Sequence, residues 1–146
     1  EHYPKDQAWI TRLGQKTLST YEKFGYDAKQ ELGTADASEI GPMVRQWLIN
    51  FMTSGPVVVM VIKGVHAVEM ARKLSGPTMP ADAELGTIRG DFSIDSAAVA
   101  NREKRAVFNL VHASETQDEA EHEIKHWFGE DLEHDYERTD DAIYKM

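Results

Sequence analysis

The sequence predicts a single α+β or α/β domain, in which helices and strands form packed layers, on three observations. The chain has 146 residues and 41% hydrophobic content, which suits one ordinary core. Four stretches carry apolar residues at helical spacing, and two short runs have the length of strands, one of them apolar throughout and rich in β-branched residues. Helices and strands are mixed along the chain, as they are in a layered domain.

The first half is predicted to be mostly helical. Apolar residues recur at helical spacing over 6–24, and the glycine-containing polar stretch 25–34 predicts a loop. Ser38 is the expected N-cap of a second helix, which a Thr-Ser-Gly-Pro stop ends at about residue 52. The run 57–62 has the length and composition of a strand that is buried on both faces.

The second half is predicted as a short helix, a long loop, a strand and a last helix. The helix covers 67–74, and glycine and proline then begin a loop that reaches about residue 105. A loop of that length inside a compact domain is usually functional. The second strand is 106–111, and a capping box at Thr116 begins the last helix. An isolated pair of strands is marginal in water, so the predicted sheet needs further strands.

Composition excludes several classes of function. A net charge of −9 argues against a nucleic-acid partner held by a broad basic surface, and the acidic excess gathers in a predicted solvated tail, 129–146. Without cysteine there is no disulfide, thiolate zinc site or thiol nucleophile, which fits a reducing cytoplasm. We find no bilayer-spanning run or leader, so we expect a soluble, cytoplasmic protein without a membrane partner.

Polar residues gather in the loops and at the end of the second predicted strand. Arginine offers forked donors that match phosphate oxygens, threonine adds uncharged donors, and histidine is a nucleophile near neutral pH. Taken singly, an arginine is more often a surface ion-pair partner and a histidine more often a packing residue. Their coincidence favours a phosphate site. The residues are Arg72, Thr78, Thr87, Arg89, Asn109, His112 and Ser114.

A zinc site is the alternative that six histidines suggest. His122 and His126 are four residues apart and would share one face of a helix. No third ligand has suitable spacing, so we predict no protein-held metal.

Five blocks of the chain resemble the nucleoside diphosphate kinase family, in order and almost without break from Thr53 to Phe128. The most specific are Gly-Thr-Ile-Arg-Gly-Asp-Phe and the later Asn-x-x-His-x-Ser. The blocks are Thr-Ser-Gly-Pro-Val-Val at 53–58, Gly-Pro-Thr-Met-Pro at 76–80, 86–92, 109–114 and the helical run 120–128.

The resemblance implies an enzyme that moves a phosphoryl group between nucleotides through phosphohistidine. His112 would take the γ-phosphoryl group of a nucleoside triphosphate and pass it to a nucleoside diphosphate. Glu123 would bind the other ring nitrogen, and Ser114 would lie beside that glutamate or the phosphohistidine. The implied partners are these nucleotides and further copies of the chain, in a homo-oligomer that is a hexamer or a tetramer.

The remaining implied contacts are with the nucleotide. Arg72, Thr78 and Arg89 would bind the phosphate chain, and Asn109 would contact the ribose. Tyr3 would lie near the phosphates. The implied cofactor is Mg²⁺, bound through the nucleotide phosphates and not in a protein cage.

The sequence also departs from the family pattern. The segment 4–52 is enlarged by helical sequence, and the loop 93–105 is extended. Val44 replaces the aromatic residue that usually packs on the base, and Glu115 replaces the usual aspartate. Tyr21, Phe24 and Tyr26 are the candidate substitutes for the base-packing aromatic.

The family's opening strand, helix and strand, with a ribose-binding lysine, have no counterpart before Tyr3. With that unit the implied fold is a ferredoxin-like antiparallel sheet with helices on one face. Its apparent lack leads us to expect a fragment. It also leaves open the alternative of a non-catalytic relative that binds nucleotides.

Overall fold

The structure, a computed structural model, describes residues 3–129. Within that range the chain forms seven α-helices and one turn of 3₁₀-helix. The predicted acidic tail lies outside the described residues except for Gly129. The helices are α1 (Gln7–Lys23), α2 (Ala28–Leu32), α3 (Ala37–Met52), α4 (Ala67–Ser75), α5 (Ile88–Phe92), α6 (Ala97–Arg102) and α7 (Gln117–Phe128), and the 3₁₀ turn is Pro80–Asp82.

Helices α1 and α3 form an antiparallel pair in which glycine allows close approach. A Cβ atom at Gly14 would collide with the carbonyl oxygen of Ala37, and one at Gly41 would collide with that of Ile10. The side chain of Ile40 is fully buried between the helices and their neighbours. The pair therefore depends on two positions without side chains as well as on apolar burial.

Helix α6 packs against α1, and together α1, α3 and α6 form what we call the helical unit. Tyr21 is 1% exposed and donates its hydroxyl hydrogen to the carbonyl of Asn101 at 3.3 Å. Arg102 lies over the ring of Tyr26 at 4.8 Å and pairs with Glu31 at 3.9 Å. The enlarged segment 4–52 and the extended loop 93–105 thus contact each other.

Several predicted boundaries need correction. Asp36, and not Ser38, is the N-cap of α3, because its carboxylate accepts from the Ser38 amide at 2.8 Å. The predicted loop 25–34 contains α2, which Asp27 caps. The long loop after α4 contains α5, α6 and the 3₁₀ turn. The predicted start of α7 is confirmed, since Thr116 accepts from the Glu119 amide at 3.1 Å.

The two predicted strands are not confirmed in the described part of the chain, where no residue is in a β-strand. A strand needs a neighbour to pair with its N–H and C=O groups, and neither run has one within 3–129. The run 57–62 is exposed instead of buried, with Val58 at 87%. The run 106–111 is anchored at its start by buried Ala106 and by the Phe108 ring, 5.5 Å from that of Phe51.

Across the described range, every helix is too short or too polar to cross a bilayer.

Candidate active site

His112, Ser114 and Glu123 form one hydrogen-bonded group. The imidazole Nε2 lies 2.7 Å from one oxygen of Glu123, and the Ser114 hydroxyl donates to the other oxygen at 2.6 Å. The histidine side chain is 55% exposed, whereas that of Glu123 is 16% exposed. The structure therefore brings together the three residues that the sequence predicts as catalytic, with the histidine toward solvent.

Helix α7 supplies Glu123, and its first turn fixes the loop that follows His112. Thr116 caps the helix, and the carboxylate of Glu119 accepts from the backbone amide of Glu115. Glu123 lies one turn beyond Glu119 on the same side of the helix. The contact from Glu119 was not foreseen, although its spacing of four residues from both glutamates was visible in the sequence.

Arg89 is 7% exposed and donates to four backbone carbonyls. From α5 it reaches Gly76 at 2.5 Å and Pro77 at 3.2 Å, just after α4. It also reaches Asn109 at 3.1 Å and Val111 at 2.6 Å, just before His112. The guanidinium thus joins the loop that carries Thr78 to the segment that carries the histidine.

Between the last two carbonyls the backbone makes a strained turn. Leu110 has φ of +66°, a left-handed conformation that costs a non-glycine residue about 1–2 kcal/mol. The Val111 amide donates to the Asn109 carbonyl at 2.7 Å, which closes a three-residue turn. Leucine gives no sequence signal for this conformation, so the turn was not predicted.

The loop after α4 and the loop that leads into α5 are closely packed against each other. A Cβ at Gly76 would lie 2.6 Å from the hydroxyl oxygen of Thr87, and φ of Gly76 is +79°, so glycine is required there. Thr87 caps α5 by accepting from the Gly90 amide, and Asp91 accepts from the Gly86 amide at 2.8 Å. Thr87 therefore orders its own loop through its backbone and hydroxyl hydrogen bonds, and it packs closely against Gly76 of the loop after α4.

Two arginines bring uncompensated positive charge to this region. Burial, and then the charge of Arg72, lower the pKa of Arg89, which shows that the two cations are close enough to repel. Neither forms an ion pair with a carboxylate within residues 3–129. Arg72 is exposed on α4. An anion would relieve this repulsion.

The other predicted nucleotide-binding residues have different surroundings. Thr78 is exposed in the loop after α4, and Asn109 is half-buried with its carbonyl bound to Arg89. Tyr3 stacks on Trp9 of α1 at 6.2 Å, and Arg45 donates to the Tyr3 carbonyl at 3.2 Å. The described contacts of Tyr3 thus include the helical unit.

Among the candidate substitutes for the base-packing aromatic residue, Tyr21 is wrong. It is buried in the core of the helical unit and has no face left for a base. Phe24 is 48% exposed, and its ring stacks on Tyr26 at 6.0 Å. Tyr26 is also covered by Arg102 on α6.

The residues fit a magnesium–nucleotide better than a bare metal ion. His112, Glu119 and Glu123 offer ligand atoms within 4.8 Å of one another. Both oxygens of Glu123 already bind His112 and Ser114, however, and Glu119 binds a backbone amide. Cationic donors from Arg72 and Arg89 suit phosphate oxygens, which can themselves hold Mg²⁺.

Comparison with known proteins gives a consistent result. A family model described as "Nucleoside diphosphate kinase" matches residues 38–132. A nucleoside diphosphate kinase of Pyrobaculum aerophilum is 52% identical over 88% of this chain and 70% of its own length. One from Methanobrevibacter smithii is 44% identical over 95% of this chain and 92% of its own length. The match to a nucleoside diphosphate kinase from Pyrococcus abyssi covers 57% of that protein's length, at 44% identity.

Two solved structures are similar. The crystal structure of an NDP kinase from Pyrobaculum aerophilum matches 88% of this chain and 70% of its own, with a TM-score of 0.81 and 52% identity. A nucleoside-diphosphate kinase from Borrelia burgdorferi, with bound vanadate and ADP as a transition-state mimic, matches 88% of this chain and 85% of its own. Its TM-score is 0.66, at 31% identity. Both likenesses support the fold of these kinases for this chain.

Proposed function

This chain belongs to the nucleoside diphosphate kinase family, and we propose that it performs the family's phosphoryl transfer through His112. The observation that carries the proposal is the contact between Nε2 of His112 and Glu123, at 2.7 Å. A kinase of this type needs a ring nitrogen with an available lone pair, and this contact selects which nitrogen that is.

Glu123 fixes the tautomer of the imidazole. A carboxylate accepts a hydrogen bond, so the proton of the neutral ring is on Nε2 and the lone pair is on Nδ1. Ser114 donates to the second carboxylate oxygen and holds the carboxylate in place. Nδ1 is therefore the nucleophile.

The transfer proceeds in two matched halves. The Nδ1 lone pair forms a bond to the γ-phosphorus as the bond from that phosphorus to the β-phosphate oxygen breaks. The electron pair leaves with the nucleoside diphosphate, and the ring, now phosphorylated, keeps its Nε2 proton and becomes cationic. Glu123 stabilises that charge. A terminal oxygen of a second nucleoside diphosphate then takes the phosphoryl group, and neutral His112 is restored.

The cations neutralise the phosphates during both halves. Arg72 and Arg89 offer positive charge that no carboxylate in residues 3–129 pairs, with Thr78 as an uncharged donor. Asn109 and Tyr3 are the proposed contacts to the ribose and to the phosphate region. Mg²⁺ brought by the nucleotide phosphates would supply further positive charge to their oxygens.

The test is intact-mass measurement after the protein is mixed with ATP and Mg²⁺. We expect one phosphoryl adduct, which added GDP discharges. The matched variants are His112→Ala and His122→Ala, because His122 is another exposed histidine, on α7. The adduct is lost in the first variant and kept in the second.

An adduct that survives His112→Ala would contradict the assignment of the nucleophile. A folded protein that binds ADP but takes up no phosphoryl group would instead be the non-catalytic nucleotide-binding relative.

Other properties stay predictions. They are a single domain over 1–146, the antiparallel ferredoxin-like sheet, a homo-oligomer (hexamer or tetramer) and a cytoplasmic location. The likeness of the chain to nucleoside diphosphate kinases supports the second, the fold.

A further inference from the structure

We propose that Asp95 is a positioning residue, which closes the extended loop 93–105 at its base and so holds Asn109 in place for the ribose. The inference rests on the proposed function, in which Asn109 is the contact to the ribose. It gives the extended loop a part in the recognition of the nucleotide.

Four donors converge on the carboxylate of Asp95, whose side chain is 9% exposed. One oxygen accepts from the backbone amide of Phe108 at 2.7 Å, and the other accepts from that of Ser96 at 2.9 Å. The guanidinium of Arg105 donates to both oxygens, at 2.5 and 3.1 Å. Charge-assisted bonds of this forked kind are strong and specific in geometry. The donors come from both ends of the loop, so the carboxylate holds those ends together.

The backbone directly before Asn109 is fixed by these contacts. The Phe108 amide is bound to Asp95, and the Phe108 carbonyl accepts from the hydroxyl of Ser93 at 2.8 Å. The Phe108 ring contacts the guanidinium of Arg105 at 4.1 Å and the ring of Phe51 at 5.5 Å. Phe108 is therefore held by its amide, its carbonyl and its ring, and the chain enters Asn109 from a defined point.

Asp95 also connects this point to the phosphate side of the site. Its backbone carbonyl accepts from the amide of Ala81 at 3.0 Å, in the 3₁₀ turn three residues after Thr78. Between Asp95 and Arg105 the chain forms α6, which packs against α1 in the helical unit. With the ends of the loop joined, a movement of α6 is not passed on to Asn109.

The experiment compares two phosphoryl acceptors, GDP and 2′,3′-dideoxy-GDP, with ATP as the donor and the full protein. An asparagine amide can bind a ribose hydroxyl, so the unsubstituted protein should favour GDP in kcat/KM. Asp95→Asn replaces one accepting oxygen by an NH₂ donor and should lower this preference about fivefold, the size expected for one misplaced hydrogen bond. The kcat/KM for the dideoxy acceptor should stay within about twofold.

An epistasis measurement and a matched control complete the design. In an Asn109→Ala background, Asp95→Asn should leave the preference for GDP unchanged, since the contact that Asp95 positions is already lost. Glu103→Gln is the control. Glu103 also pairs with Arg105, at 2.6 Å, but within residues 3–129 it has no hydrogen bond to Phe108, so the preference should be kept.

An equal loss of kcat/KM for both acceptors in Asp95→Asn overturns the proposal, and so do additive effects of Asp95→Asn and Asn109→Ala. If Asp95→Asn does not fold, Asp95→Glu, which is one methylene group longer, takes its place: a lowered preference supports the proposal and an unchanged one overturns it. An unsubstituted protein that is phosphorylated on His112 but uses both acceptors equally overturns this inference alone. One that takes up no phosphoryl group contradicts the proposed function instead.

Discussion

The helical unit and the active-site region, which comprises residues 76–95 and 106–123, keep their shapes by different interactions. In the helical unit the backbone bonds to itself, and the helices meet through Tyr21, Ile40 and the close approach at Gly14 and Gly41. In the active-site region much of the backbone is irregular, and side chains take up its polar groups. Arg89 alone binds four carbonyls there.

The difference follows from how secondary structure satisfies the backbone. A helix pairs its own N–H and C=O groups, so its packing is sensitive mainly to side-chain volume. A segment outside helices and sheets needs other partners, and a buried carbonyl without one costs about 1–3 kcal/mol. We therefore expect volume changes to damage the helical unit and loss of hydrogen bonds to damage the active-site region.

The largest expected effect is on catalysis. Glu123→Gln should lower turnover by about 10²- to 10³-fold, because an amide no longer selects the tautomer or stabilises the cationic ring. Steady-state kinetics at saturating nucleotide measures the loss. The thermal unfolding midpoint should change little, since glutamine keeps the shape of the side chain. Turnover within about threefold of the parent would contradict the role of Glu123.

A volume change in the helical unit, by contrast, should lower the free energy of unfolding. Gly41→Ala places a methyl group against the backbone carbonyl of Ile10 and should cost about 2–3 kcal/mol of unfolding free energy. Denaturant titration measures this cost. The matched control is Gly55→Ala, where a Cβ has open space. Equal stability of the two variants would break the comparison.

Asp95 tests whether hydrogen bonds hold the active-site region together. Its carboxylate binds Arg105 at 2.5 Å and the amides of Phe108 and Ser96, at 2.7 and 2.9 Å. Burial raises its pKa, but the bond from Arg105 and the two backbone bonds outweigh burial, and the net pKa is lowered. Asp95→Asn should cost about 2 kcal/mol, because it removes the charge that pairs with Arg105.

The dependence of the unfolding free energy on pH tests the contribution of the Asp95 carboxylate. A lowered carboxyl pKa contributes stability above the unfolded value of about 4, and the stability is lost as pH falls through the folded value. The parent should therefore lose more stability than Asp95→Asn when the pH is lowered from 6 to 3. Parallel curves for the two proteins would show that Asp95 is not the group responsible.

The smallest expected effect is at Arg102. Its ion pair with Glu31 is 3.9 Å long and exposed, and its contact with Tyr26 is partly screened, so Arg102→Ala should cost no more than about 1 kcal/mol. A larger loss in denaturant titration would show that polar contacts also hold the helical unit together.

The same difference decides what could be predicted from the sequence. Helices can be recognised from local periodicity and capping residues, and the sequence predicts α1, α3, α4 and α7. The N-cap of α3 is Asp36 instead of the predicted Ser38. Strands depend on partners elsewhere, so the runs 57–62 and 106–111 were named from composition and have no strand partner within 3–129.

At the site, the residue types and the family resemblance singled out His112, Ser114 and Glu123, which the structure brings together. The left-handed turn at Leu110 and the four carbonyls on Arg89 could not be foreseen, because both depend on distant backbone. No local pattern records them.

The contact of Tyr21 with Asn101 has a consequence for inheritance and for engineering. Tyr21 and Asn101 are 80 positions apart in sequence, yet through them the enlarged segment and the extended loop each cover part of the other's surface. Deleting α6 would remove the hydrogen-bond partner of the tyrosine, and deleting α1 would remove a helix against which α6, with its buried Ala98 and Ala100, packs. A lineage, or a designer, that gains or removes one of these additions must therefore treat the other as part of the same change.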